Sequence, residues 1–163
     1  VLNYIIAIIS FAQIMNFGYK DIFGFTSDVQ KIEFVQFKSD LERSVEQLHS
    51  EFGAVRTEEF FAPAQFKQIC FIDLDRDPTS TELQQLCSLN VRACVVWRDA
   101  TNFETEEENV FLTSNQNSNS EISRIKVTRI ELEQGFLCVP IRNGKFTLIL
   151  EGKGDRTKVN GLS

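Results

Sequence analysis

The chain has 163 residues, enough for one domain or one domain with an appendage. Its formal net charge is -6, which weighs against nucleic acid, and ordinary glycine, proline and charged content excludes global disorder. Phenylalanine is the anomaly, with 15 residues against one tryptophan and two tyrosines.

The first 19 residues, VLNYIIAIISFAQIMNFGY, carry no charge, and their polar members are Asn3, Ser10, Gln13 and Asn16 with two tyrosines. As a helix this run is about 28 Å long, close to the hydrocarbon thickness of a bilayer. A secretory signal would show basic flanks, a shorter apolar core and a small-residue cleavage site, and this run has none of them. The run is membrane-compatible, and the residues expected to pack it against other copies in a polymer are Val1, Tyr4, Ile5, Ile8, Ile9 and Phe11, followed by Ile14, Met15 and Phe17 and, further on, Ile22 and Phe25. Gly18 and Gly24 mark the join to the next segment, as a kink or an unwound stretch, since each costs about 1 kcal/mol of helix propensity.

Phe34, Phe37, Leu41, Val45, Leu48 and Phe52 then recur every three or four residues among charged neighbours, the signature of an amphipathic helix, and Gly53 is placed to end it. Residues 1–52 are expected to form one helix of about 78 Å. Its amphipathic half can lie on a domain, while its uncharged half must be buried in lipid or in other copies.

From Val55 the chemistry is β. VRTEEFF, FKQICFIDL, VRACVVW and NVFLT read as strands, and ISRIKVTRIEL alternates as one half-exposed antiparallel strand. FLCVPIRNGKFTLILEG reads as a hairpin through a type I′ turn at Asn143-Gly144. TSTELQQLC is expected to be a short helix opened by Asp77 and Pro78. Residues 113–121 read as a solvated loop with no Asn-x-Ser/Thr sequon. The predicted fold class is therefore α+β: a long N-terminal helix (1–53) bearing a C-terminal antiparallel β-rich head (54–163).

Cys70, Cys87, Cys94 and Cys138 show no CxxC spacing, so zinc ribbons and redox dithiols are poorly supported. Two disulfides in an exported domain is the better reading. Cys70 and Cys138 sit among large apolar neighbours suited to pairing across a core. Cys87 and Cys94 are close enough to staple a helix end to the next strand. The connectivity itself stays open at this stage.

CFIDLDRD is the stretch that most resembles chemistry, with Asp73, Asp75 and Asp77 at alternating positions. A dehalogenase-type phosphotransferase ends a strand in DxDx(T/V), but Asp77 replaces the hydroxyl residue and the required β/α alternation is missing. An EF-hand loop needs glycine where Pro78 stands and glutamate where Gln84 stands, leaving the three aspartates as weak metal candidates only. A strand leaving the core explains them with less. The single histidine, His49, has no second histidine to work with and lies among charged helix neighbours. EGKGD (151–155) lacks the strand-loop-helix context of a phosphate loop, and ETEEEN (104–109) reads as a solvated acidic loop. No catalytic residue, metal or cofactor is assigned.

The uncharged run feeding an amphipathic helix and a cysteine-bearing β domain resembles a mature type IV pilin, and more narrowly archaeal type IV pilin-like proteins. YIIAIISFAQIM, FKQICFIDLD, GFLCVP and GKFTLILEGKGD carry the resemblance. It implies a precursor in the cytoplasmic membrane, cut by a prepilin peptidase so that the chain begins at Val1, and handled by the pilus assembly machinery. It also implies an extracellular homopolymeric filament held by the N-terminal segment and used in adhesion or surface attachment. Bacterial pilins carry a glutamate near the mature start, where this chain has Ile5, which favours the archaeal branch and leaves the Val1 amine without an assigned partner. Rival expectations are a membrane-anchored surface module or minor pseudopilin that never polymerises, and a hydrolase whose activity depends on Asp73.

Overall fold

A computed structural model describes residue 13 and residues 31–100, 107–114 and 124–162. The chain divides into two compact units, 1–33 and 34–163, and the description below is of the second. The expectations placed on the first thirty residues, among them the assembly positions from Val1 to Phe25 and the glycines Gly18 and Gly24, lie outside the described residues.

The expected fold class is overturned. Among the described residues there are three short helices, α1 (31–49), α2 (Ser80–Leu89) and α3 (Val91–Ala100), and the first of them begins at Lys31, so those residues hold no long N-terminal helix. Eight strands accompany them: β1 (Val55–Phe61), β2 (Phe66–Ile72), β3 (Val110–Ser114), β4 (Arg124–Ile125), β5 (Ile130–Glu131), β6 (Phe136–Pro140), β7 (Lys145–Gly152) and β8 (Thr157–Gly161). They form two four-stranded sheets, A in the order β1-β7-β8-β5 and B in the order β4-β3-β2-β6. Pairing is not wholly antiparallel either, because β5 runs parallel to β8.

The stripe read from the sequence is the one that enters the core. Phe34, Phe37, Leu41, Val45 and Leu48 are buried, whereas Phe52 lies beyond the helix and is 83% exposed. They share one apolar core with Phe60, Phe146, Leu148, Leu150 and Val159 of sheet A and Ile69, Phe71, Val110, Leu112 and Val139 of sheet B. Much of the unusual phenylalanine content gathers at one end. Phe34 packs on Phe66 at 6.0 Å, Phe37 on Phe146 at 6.0 Å, and Phe60 stacks on Phe146 at 5.4 Å. Such offset and edge contacts add to plain area burial.

Three polar details seat α1. The buried Thr157 hydroxyl donates to the Val45 carbonyl at 2.7 Å. Gly53, at φ +79°, ends the helix turn and donates its amide to Gly152 O at 2.8 Å. Gly152 lies so close beneath the helix end that a Cβ there would come within 2.2 Å of Glu51 O and 2.3 Å of Leu48 O.

Sheet B is covered on its other face by α2 and α3. Cys70, Ile72 and Phe111 form a second core with Leu86, Ala93, Cys94, Val96 and the fully buried Trp97. VRACVVW is thus a helix and not the expected strand. Its buried positions 93, 94, 96 and 97 follow the helical period, and Asn90 Oδ1 accepts from Ala93 N at 3.0 Å to open it. Nor do Asp77 and Pro78 open α2. Thr79 does, through a reciprocal capping box with Glu82.

Two other strand expectations fail. ISRIKVTRIEL is broken into β4 and β5, which belong to different sheets. The break follows Asn109, whose side chain bonds both N and O of Val127, and Arg129, which sits at φ +60°. The turn at Asn143-Gly144 has φ of +53° and +72°, as a type I′ turn requires. Yet β6 joins sheet B and β7 joins sheet A, so only the single bridge Arg142–Lys145 remains of the expected hairpin.

Candidate functional site

Sequence reasoning singled out the aspartates, and the structure gives each a place. Asp73 follows β2 directly and is only 6% exposed, with its amide donating to Gly135 O at 2.8 Å. Its Oδ1 accepts from Asp75 N at 3.1 Å, and the Leu132 backbone also donates to the carboxylate. Burial pushes its pKa up, and these backbone amides oppose the shift without cancelling it. Asp75 and Asp77 are exposed, and the nearby Asp75 charge adds to the upward shift while Arg156 opposes it. Among the described residues, no three His, Cys, Asp or Glu side chains group as a metal site.

The same loop serves the fold. Arg76 offers its carbonyl to Trp97 Nε1 at 2.9 Å, and its guanidinium bridges Glu82 at 2.8 Å and reaches Glu133 O at 3.4 Å. Gly135 is needed opposite, because a Cβ there would meet the Trp97 ring at 2.8 Å. The loop therefore ties β2, β6 and the α2–α3 pair together. This architecture needs Asp73 as an acceptor of backbone amides.

His49, at the end of α1, is engaged on both ring nitrogens: Nδ1 with the Glu46 carbonyl, and Nε2 with the Arg129 guanidinium at 2.5 Å. It has no nucleophile beside it in these contacts. EGKGD is the end of β7 and the turn into β8, and the strand TKVNG that follows was not anticipated. Of the acidic loop 104–109, residues 107–109 are described. Glu107 pairs with Lys126 and Glu108 with Arg124, while Asn109 holds Val127.

The four cysteines form two disulfides, Cys70–Cys138 and Cys87–Cys94. The first joins residues directly opposite each other on β2 and β6, beneath α3. The second joins α2 to α3, helix to helix, with Cys94 buried and Cys87 exposed.

Two shallow grooves flank α1. One, of 290 Å³, lies between α1 and β1 and is lined by Phe37, Asp40, Arg43, Glu58 and Phe61 among others. The other, of 300 Å³, is lined by Lys38, Glu42, Glu46, Lys126 and Thr128. Both are open and mixed in charge, unlike the enclosed apolar pockets that hold small molecules. Exposed apolar side chains that the stripe did not predict include Val35 on α1, Phe61 on β1 and Val91 on α3. Among the described residues no helix is long and apolar enough to cross a membrane.

No protein-family model, curated protein or solved structure matches this chain.

Proposed function

We propose that this protein is the structural subunit of an extracellular, type IV pilus-like helical filament, without enzymatic activity, serving adhesion or surface attachment. The observation that carries the reading is a mismatch between the two ends of the sequence. Residues 1–19 contain no charge, whereas unit 34–163 completes its own cores and carries two disulfides. A chain so divided needs a second environment for its apolar end: lipid first, then equivalent segments of other copies. Each large side chain buried in that way contributes roughly 1.5 to 3 kcal/mol, so a few of them per subunit make a durable polymer. Asn3, Ser10, Gln13 and Asn16 suit both settings, because such groups hydrogen-bond between segments and are still tolerated in a membrane. The disulfides fit an oxidising exterior. The partners are further copies of the chain, the membrane before assembly, a prepilin peptidase and an assembly machinery.

The test is Ile8→Lys in the native host. The expected outcome is loss of surface filaments while the head keeps both disulfides and its thermal transition. A non-polymerising anchored module predicts instead that wild-type cells show single copies in detergent extracts and no filament at all.

A further inference from the structure

The three aspartates are structurally explained only in part, since Asp73 bonds backbone amides and Asp75 and Asp77 do not share that task. Their position along sheet B gives the remainder a use. β2 begins at Phe66 and ends at Ile72, so Lys67 stands at one end of the sheet and the 73–77 loop at the other. Ile141 N donates to Lys67 O at 2.8 Å, which sets Arg142 beside Lys67 at the first end.

The charges at these ends are sorted by their partners. Near the first end Lys145 is bound by Glu59 at 2.9 Å and lies 4.7 Å over the Phe61 ring. Lys67 and Arg142 are exposed and form no salt bridge among the described residues. At the second end Arg76 is held by Glu82, Arg156 by Asp155 and Lys158 by Glu133. Asp75 and Asp77 are exposed and form no salt bridge there. Among the described residues, one end of sheet B thus offers two cations with no salt bridge, and the other two exposed carboxylates with none, of which Asp75 also lies within electrostatic reach of Arg156.

We infer that these ends meet between copies: Lys67 and Arg142 of one subunit face Asp75 and Asp77 of the next, head to tail along the axis of sheet B. The inference rests on the filament reading above and names the contact made by its heads. A contact between two different patches does not close on itself, so repetition along one axis gives an open fibre. Exposed ion pairs add little affinity, and complementary charge mainly fixes orientation and register. The apolar segments would supply cohesion and these poles would set how successive heads sit.

Zero-length cross-linking with a carbodiimide, applied to full-length filaments sheared from the cell surface, reads this register. The reagent joins a lysine amine to a carboxylate with no spacer. Within one copy Lys67 is separated from the end of β2 at Ile72 by about 17 Å at ~3.3 Å per residue, and the aspartates lie beyond that end. A Lys67–Asp75 or Lys67–Asp77 peptide found by mass spectrometry therefore reports two copies. The expected result is that peptide in wild-type filaments and its loss in Lys67→Arg, which keeps the charge but not the amine. In Arg142→Glu filaments its yield should fall by about fivefold or more, because like charges then oppose each other. Wild-type filaments giving other lysine cross-links and never this peptide would overturn the contact and leave the filament reading standing. If the cells yield no filaments, that reading fails, and absence of the peptide from cross-linked membranes rejects the contact with it.

Discussion

Gly152 is the most tightly enclosed glycine among the described residues, and replacing it with alanine tests how α1 is seated. The new Cβ would lie 2.2 Å from Glu51 O and 2.3 Å from Leu48 O, both backbone atoms that no rotamer change can move aside. Reaching ordinary contact requires the end of α1 and β7 to part by roughly 1 Å, on the scale of overpacked cores that cost typically 1–3 kcal/mol. That movement also strains the Gly53 N–Gly152 O and Gly152 N–Ala54 O bonds, at 2.8 and 2.9 Å, each contributing about 1 kcal/mol. The combined loss is about 3 kcal/mol, a fall in melting temperature of about 6–12 °C for a chain of this size. Circular dichroism melts of the full chain in detergent, with disulfides intact, provide the assay. A Gly152→Ala protein melting within about 2 °C of wild type, a shift worth under 1 kcal/mol, would refute the close seating of α1 on β7.

Other consequences follow from the same contacts. Asp73 has a raised pKa in the fold, so the folded state holds its proton more tightly than the unfolded chain. Its contribution is then fully present below about pH 4 and is lost as pH rises through the folded value. Asp73→Asn keeps an acceptor for the backbone amides and should melt no lower than wild type at pH 7. A large loss of stability, or a calcium-dependent melting shift in wild type that vanishes in the variant, would contradict the structural role. Graded reduction followed by alkylation and mass spectrometry should open Cys87–Cys94 before Cys70–Cys138, because Cys87 is exposed and Cys70 fully buried. The sequence separations are 7 and 68, so loop-closure entropy predicts that removing them costs about 2.4 and about 4.4 kcal/mol respectively. The reverse order of reduction would contradict the burial pattern.

What the sequence shows well are elements whose period is fixed by one partner. The stripe from Phe34 to Leu48 is legible because α1 lies on a single core, and FKQICFIDL and NVFLT are legible because apolar β-rich runs of that length suit buried strands. VRACVVW is not, since its valines favour a strand while its seven residues are too few to separate strand from helix by period. The available signal was Asn90, a capping residue just before the run. Asn143-Gly144 specifies its own backbone and says nothing about which sheets the flanking strands enter, so the hairpin expectation was half right for a physical reason. For the aspartates, alternation along CFIDLDRD placed them at a strand exit. Whether they converge depended on the Gly135 and Leu132 backbone, which is distant in sequence.

The measurement that bears most directly on the filament claim is electron microscopy of material sheared from the native cell surface, with mass spectrometry of the same fraction. The predicted result is thin helical filaments whose subunit contains residues 1–19 and both disulfides. Recovery of the chain only as single copies in detergent extracts of the membrane, with no filament containing it, would contradict the claim.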